Sequence, residues 1–235
     1  MSMKLLLIFA HPDDETFSSS GTVSLLTKKG WSASLISATR GEAGMLGNPP
    51  VTTQKKLAKV REQELKKAAK ITGISKIYFL NFIDGTLHKV PQKVLQKKIF
   101  LLIKGDQPDV VITFHKDGIS NHPDHIAISK AATQAFFSYM KTARKHVRLY
   151  HVVIPKSSLE KYEKAGFRYD YFGGMKPTPD EEISTNVDIR GVYKTKIKAM
   201  KSHLTQKKDW ESMLRRNKLI EGNWEHFKLI AENTI

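Results

Sequence analysis

Cysteine is absent from the 235-residue chain, which excludes a disulfide framework and any thiolate metal site and suits a reducing cytoplasm. Any bound metal must therefore be held by His, Asp or Glu. Long hydrophobic runs are missing too. No stretch approaches the roughly 18 to 20 continuous apolar residues of a membrane-spanning helix, and the opening MSMKLLLIFA leads into acidic residues instead of a small-residue cleavage site. The chain is accordingly read as soluble, unprocessed and cytoplasmic, with no membrane partner. No G-x-G-x-x-G follows the first apolar run, so a dinucleotide cofactor is not expected. Internal repeats and low-complexity segments are lacking as well.

Negative charge is scarce: 39 Lys and Arg stand against 23 Asp and Glu, for a net charge of +16. Residues 55–76 hold eight basic side chains against two Glu, a net of +6, and residues 190–218 hold ten against two acidic ones, a net of +8. Both segments read as helices with lysine scattered round them, and neither has the arginine-plus-aromatic interleaving that favours single strands. The preferred reading is a solvated lysine-rich surface, with no specific nucleic-acid partner. A basic binding protein for anions or nucleic acid is the alternative from a different class.

A 40% hydrophobic content supports a sizeable core, and the length fits one α/β domain over 1–235. Apolar, strand-like runs recur at 5–10 (LLLIFA), 33–38 (ASLISA), 77–82 (IYFLNF), 109–114 (DVVITF) and 147–154 (VRLYHVVI). Between them lie helically spaced segments at 22–29, 55–72 and 91–104, each with a glycine just past its end (Gly30, Gly73, Gly105). Wholly apolar strands alternating with helices predict a mostly parallel, doubly wound, Rossmann-like α/β sheet with helices on both faces. Residues 155–190 (including GFRYDYFGGMKPTPDEE) read as an irregular insertion near the mouth of the site, 191–218 as a final helical stretch, and Trp224 and Phe227 as belonging to an aromatic tail.

In such sheets, ligands sit beyond the carboxyl ends of the strands, where the strand order reverses. The loops there read AHPDDE (10–15), TRGEAG (39–44), NFIDGTL (81–87) and HKDGISNHPDH (115–125). His11 and Asp14 lie three apart at a strand end, and His125 enters from HPDH, where Pro123 and Asp124 suit the first turn of a helix. Together His11, Asp14 and His125 make a three-ligand, water-open site that suits Zn2+ or another divalent ion. Asp13 is then placed to accept a proton from water, a protonated His122 to donate to an oxyanion or leaving amine, and Asp124 to orient a histidine. Metal, base and acid are the parts that amide hydrolysis needs. Taken singly, either motif reads as well as a simple strand end or helix start. Glu15 is read as a helix-start or outer-shell residue, His115 as part of the outer wall, and His88, His146, His151 and His226 as ordinary positions.

AHPDDE followed by HPDH resembles the PIG-L/LmbE-like de-N-acetylases, zinc enzymes that deacetylate N-acetylglucosaminyl conjugates. TRGEAG, Arg61-xx-Glu64-xxx-Ala68, Asp84-Gly85 and Lys196-xx-Ala199-xxx-His203-x-Thr205-Gln206 extend the resemblance over roughly 5–206. It implies that His11, Asp14 and His125 ligate zinc, that Asp13 is the general base, and that His122, with Asp124 behind it, stabilises the tetrahedral intermediate. It also implies that Arg61 and Asp84 contact substrate and that His203 sits near the site. The pair His115-Lys116 departs from the more neutral, proline-bearing loop expected there. By resemblance to the soluble bacterial branch, the expected partner is a small N-acetylated sugar conjugate; another amide remains the runner-up, and association into a homo-oligomer is left open.

Overall fold

The computed structural model describes residues 2–167, 172, 174–218 and 222–233. Its centre is the run predicted first: β1 (Lys4–Phe9), in which Leu5 to Phe9 are completely buried. Burying a side chain of this size contributes roughly 1.5–3 kcal/mol, so β1 anchors the sheet. On one side β1 pairs in parallel with β2 (Ser32–Ser37), and β2 pairs with β3 (Ile74–Phe79); on the other it pairs with β4 (Val110–Phe114), which pairs with β5 (Arg148–Val152). The connecting helices are α1 (Asp14–Ser18), α2 (Ser20–Lys28), α3 (Leu57–Thr72), α4 (Gln92–Asp106) and α5 (Pro123–Met140). Helix α4 packs on α5, while α2 and α3 pack with each other and with a later helix, α7 (Tyr193–Met200). Right-handed crossovers place these two groups on opposite faces. The doubly wound architecture is therefore as expected.

The sheet has seven strands in the order β3-β2-β1-β4-β5-β7-β6, and its last two were not read in the sequence. Within 155–190, expected to be irregular, lie helix α6 (Lys156–Lys164) and strand β6 (Thr185–Asp188). The supposed aromatic tail is β7 (Trp224–Glu232), inserted antiparallel between β5 and β6. Its inward positions include a charged residue, Glu225, beside the apolar Phe227, which disguised the strand. Residues 168–171 and 173 of the expected insertion lie outside the described residues.

Three boundaries also moved. Strand β3 begins at Ile74 instead of 77, because Gly73 ends α3 in a left-handed turn and the chain enters the sheet at once. As an edge strand it carries polar Ser75 and Lys76, which broke the apolar signal. Helix α4 runs through Gly105; the left-handed residue that stops it is Gln107, whose N–H donates to the Ile103 carbonyl at 2.8 Å. The single helix expected over 191–218 is two, α7 and α8 (Lys207–Asn217), separated by a turn at 201–206. There Thr205 donates through its N–H (2.9 Å) and hydroxyl (2.6 Å) to Glu64 of α3, binding the turn sideways onto the core.

Candidate metal centre

The strand order reverses between β1 and β4, since the chain leaves β1 toward β2 and returns after β3 to the opposite side. The loops after β1 and β4 rise side by side from this point, bringing AHPDDE and HPDH together. His11 Nδ1 and His125 Nε2 face each other at 3.2 Å. The Asp14 carboxylate closes the triangle, 3.3 Å from His125 Nε2 and 3.6 Å from His11 Nδ1. One donor atom from each of the three residues lies within 4.8 Å of the others. These are the three residues expected as ligands from the sequence, and they could hold a metal ion; the two-nitrogen, one-carboxylate set fits zinc or a similar divalent ion.

Each ligand is oriented from behind. His125 Nδ1 is 3.1 Å from the Gly118 carbonyl, which as an acceptor keeps the proton on Nδ1 and leaves the Nε2 lone pair facing the site. Gly118 was not singled out in the sequence, yet it is demanding: its φ is +67°, and a Cβ there would come within 2.6 Å of the His125 Cβ. Phe114 stacks on the same imidazole at 4.1 Å between centroids. For Asp14, one oxygen accepts from the His11 N–H at 2.7 Å. His11 turns its Nε2 toward Asp84 (2.9 Å) and Asp124 (3.5 Å), the carboxylate-behind-histidine arrangement typical of metal ligands.

The local charge calls for a cation. Burial works against a charge on His11, but the carboxylates of Asp124, Asp14 and Asp84 raise its pKa well above the usual imidazole value. Burial alone would raise Asp14, yet His125 and His11 hold it well below the usual carboxylate range. Asp84 and Asp124 are lowered in spite of their burial, chiefly by His11, Asp124 to about 2. Three carboxylates thus crowd round His11, one of them shared with His125, a concentration of negative charge that a divalent ion would neutralise.

The remaining expected residues divide into those beside the triangle and those behind it. Asp13 precedes α1 with a φ of 119°, rare for a residue with a side chain. Burial pushes its carboxyl up to about 7, against the pull of Arg61 and with a further push from Asp14. His122 lies over the ligands, its ring 4.7 Å from His125 and 5.0 Å from His11 between centroids. It was expected to act when protonated, but its Nδ1 accepts the Asp124 N–H at 3.1 Å, so the ring is a neutral donor through Nε2. Burial, then His125 and His11, lower it to about 4.

Asp124 was expected behind His122. Its carboxylate accepts from the Gly85 N–H (2.8 Å) and Leu87 N–H (2.9 Å) and faces His11 and His88. Its backbone N–H meets His122 Nδ1, and its negative charge favours the protonated form of that ring.

Of Arg61, Asp84 and His203, expected at the substrate, Arg61 and His203 are buried and Asp84 is half-buried, and each meets other residues of these loops. Arg61 donates to the carbonyls of Pro12 (2.6 Å) and Gly41 (3.0 Å) and to the Asp13 carboxylate (3.1 Å). A Cβ at Gly41 would overlap its guanidinium, with 2.4 Å between atoms, which explains the glycine of TRGEAG. Asp84 accepts the Ala43 N–H at 3.0 Å, while its own N–H donates to Glu42 at 3.1 Å. His203 is completely buried, 3.8 Å from Glu15, not a surface residue of a lysine-rich helix. His115 pairs with Asp117 at 2.6 Å, outside the triangle, as its wall position implied. His88, read as ordinary, reaches within 3.4 Å of Asp124.

No helix among the described residues is long and apolar enough to cross a membrane. In overall shape the chain is similar to a 4-carboxy-2-hydroxymuconate hydratase from Pseudomonas putida KT2440, at TM-score 0.71 and 18% identity, covering 99% of this chain and 98% of that one. It is equally similar to an N,N'-diacetylchitobiose deacetylase from Pyrococcus horikoshii, at TM-score 0.71 and 22% identity, covering 97% and 84%. At such identities these likenesses concern the fold, and the two neighbours carry different chemistry. In sequence it is 33% identical over 141 residues to a probable N-acetyl-alpha-D-glucosaminyl L-malate deacetylase 2 of Bacillus anthracis. That match spans 60% of this chain and 62% of the relative's length. Residues 6–136, more than half of the chain and the whole metal triangle with its loops, match the family described as GlcNAc-PI de-N-acetylase: the chain belongs to the PIG-L family.

Proposed function

We propose that this protein is a zinc-dependent hydrolase that removes acetyl from an N-acetylglucosaminyl conjugate, releasing acetate and a free amine. The observation that carries this reading is the convergence of His11 Nδ1, His125 Nε2 and the Asp14 carboxylate on one point, with His122 above it and Asp13 beside it. Zinc held there would supply a Lewis acid that acidifies a bound water and polarises an acyl oxygen. Asp13, with Arg61 on one carboxylate oxygen at 3.1 Å, takes the proton from the attacking water. His122 stabilises the oxyanion as a neutral donor: its Nδ1 accepts the Asp124 N–H, which leaves the proton on Nε2. Asp84 and Asp124 act through His11 by placing negative charge beside its Nε2, and Arg61 acts through Asp13.

Family membership and the sugar deacetylase among its relatives support an N-acetylated sugar over another amide, and the small-molecule partner follows from the same reading. The hydratase of equal fold similarity defines the competing outcome, water addition with no acyl loss.

The test is incubation of the zinc-loaded protein with N-acetyl-α-D-glucosaminyl L-malate, N,N'-diacetylchitobiose and N-acetylglucosamine, with mass detection of a lost acetyl group and assay of the new amine. Asp13→Asn should keep its metal and lower amine release about 10²- to 10⁴-fold, the contribution of a positioned base. Full activity in that variant removes Asp13 from the role. Loss of acetyl from none of the three probes overturns the sugar reading.

A further inference from the structure

Next to Asp13, three buried polar atoms have no hydrogen-bond partner among the described residues: Glu15 Oε1 and both ring nitrogens of His203. Glu15 is 1% exposed and His203 is not exposed at all. The two face each other, with 3.8 Å between His203 Nε2 and Glu15 Oε1. Leaving such atoms unpaired is destabilising, so a carboxylate and an imidazole brought together in this way call for a reason beyond packing.

The reason lies on the other oxygen of Glu15. Oε2 accepts the backbone N–H of Asp13 at 3.3 Å, and Asp13 is the residue with the φ of 119°. A non-glycine residue in such a conformation is strained and persists only where its surroundings over-determine it. Here the surroundings do so from three sides. The Asp13 carbonyl accepts from the Thr16 N–H (2.8 Å), the Phe17 N–H (3.1 Å) and the Thr16 hydroxyl (2.7 Å). Arg61 grips the preceding carbonyl and the Asp13 side chain. Glu15 takes the amide. Rotating Asp13 back to a negative φ would swing its Cα–Cβ bond and carry the carboxylate off Arg61.

His203 is itself held firmly from the far end of the chain. Its carbonyl accepts from Trp210 Nε1 at 3.2 Å, and Thr205, two residues on, is fastened to Glu64 of α3. The imidazole therefore stands at a fixed place behind Glu15, although the two residues are far apart in sequence.

We propose that Glu15 and His203 are positioning residues for the proton-accepting carboxylate: His203 stands behind one oxygen of Glu15 at 3.8 Å and confines it, the other oxygen accepts the Asp13 N–H and so supports its left-handed conformation, and this aims the Asp13 side chain. The proposal rests on the reading of Asp13 as the base. It gives the 203–206 turn a part in the reaction without contact with substrate, and it accounts for the last carboxylate of AHPDDE.

The experiment uses the full-length, zinc-loaded protein with N-acetyl-α-D-glucosaminyl L-malate, or N,N'-diacetylchitobiose where that turns over faster, and reads kcat, KM, zinc per chain and Tm. His203→Leu removes both nitrogens; His203→Gln restores one donor. Misplacing a reacting group slightly is enough to slow a reaction about 10²-fold. His203→Leu should therefore lower kcat about 10- to 100-fold with KM and zinc content within twofold of wild type, and His203→Gln should recover most of that loss. A kcat within twofold of wild type in His203→Leu overturns the proposal, as does a fall in kcat that tracks lost zinc, or a Gln variant that folds but recovers nothing. Where the Leu variant does not fold, Glu15→Gln decides, with a kcat about 10-fold down at unchanged KM expected and a kcat within twofold overturning. Asp13→Asn, run alongside, separates the failures. If it keeps the wild-type rate, the base assignment fails; if it is inactive while Glu15→Gln and His203→Leu run at full rate, the positioning role alone fails.

Discussion

The loops at the end of β1 and β4 and the C-terminal region from α7 to β7 both carry buried polar side chains, but they use them in opposite ways. In the loops, His11, Asp14 and His125 turn their donor atoms toward one another, leaving a point that a cation completes. In the C-terminal region the buried pair Lys196 and Glu225 is completed by the fold itself. Lys196 reaches the Phe17 carbonyl at 3.0 Å and Glu225 at 2.5 Å, and Glu225 in turn accepts the N–H groups of Gly21 (2.9 Å) and Thr22 (2.7 Å) at the start of α2. A carboxylate at a helix N-terminus completes unpaired N–H groups and meets a favourable dipole. The first region is therefore built for chemistry and the second for holding the helices beneath it. The turn at His203 is where the second reaches the first.

The comparison breaks most sharply at the ligands. His125→Ala should strip the site of its metal and abolish amine release while leaving the fold intact, since the side chain faces the site and not the core. Zinc content by mass spectrometry and Tm measure the two halves of this statement. A variant that keeps stoichiometric zinc would show that the triangle is not the metal centre.

In the C-terminal region the opposite pattern is expected. Glu225→Gln leaves Lys196 as a buried cation with a neutral partner, and breaking a buried pair by removing one charge costs about 3–5 kcal/mol. The urea midpoint should fall accordingly, while kcat per folded molecule at low temperature stays near wild type. A loss of kcat without a loss of stability would erase the distinction between the two regions. Gly118→Ala tests the loop region more gently. Its Cβ would press on His125, and disturbing the groups that orient a ligand typically costs 10- to 100-fold in metal affinity. Competition with a chelator reads that loss directly.

The same contrast explains what was legible in the sequence. The metal triangle was readable because each motif is short and its ligands sit at a strand end or a helix start, where local geometry decides where they point. The strand order then brought the two motifs together by the rule for sheets of this class. The C-terminal strands were hidden because their inward positions are not uniformly apolar. Glu225 occupies a core position of β7, and it is acceptable there only because Lys196 and the start of α2, remote in sequence, meet it in space. Arg61 and Asp84 were legible as residues of the site, but their partners within the protein were not. Arg61 grips two carbonyls and a carboxylate that come from loops remote in sequence.

The smallest expected effect lies at the border of the two regions, on β5, which joins the parallel sheet to β7. His151 is buried there, with Nε2 2.9 Å from the Thr133 hydroxyl and its ring against His115. Burial, helped by the neighbouring His115, lowers it to about 3, so it stays neutral in the folded protein at every pH of use. The unfolded chain protonates it below about 6.5. Between these values the unfolded state binds more protons, so stability rises with pH and is lost as the pH falls below about 6.5. At pH 5 the loss amounts to roughly 2 kcal/mol relative to neutral pH. His151→Gln carries no such titration, and its urea midpoint should fall less than that of wild type between pH 7 and pH 5. Equal losses in both proteins would mean that acid destabilisation comes from elsewhere, most directly from the carboxylates around His11. The acid weakness would then belong to the metal loops and not to the border strand.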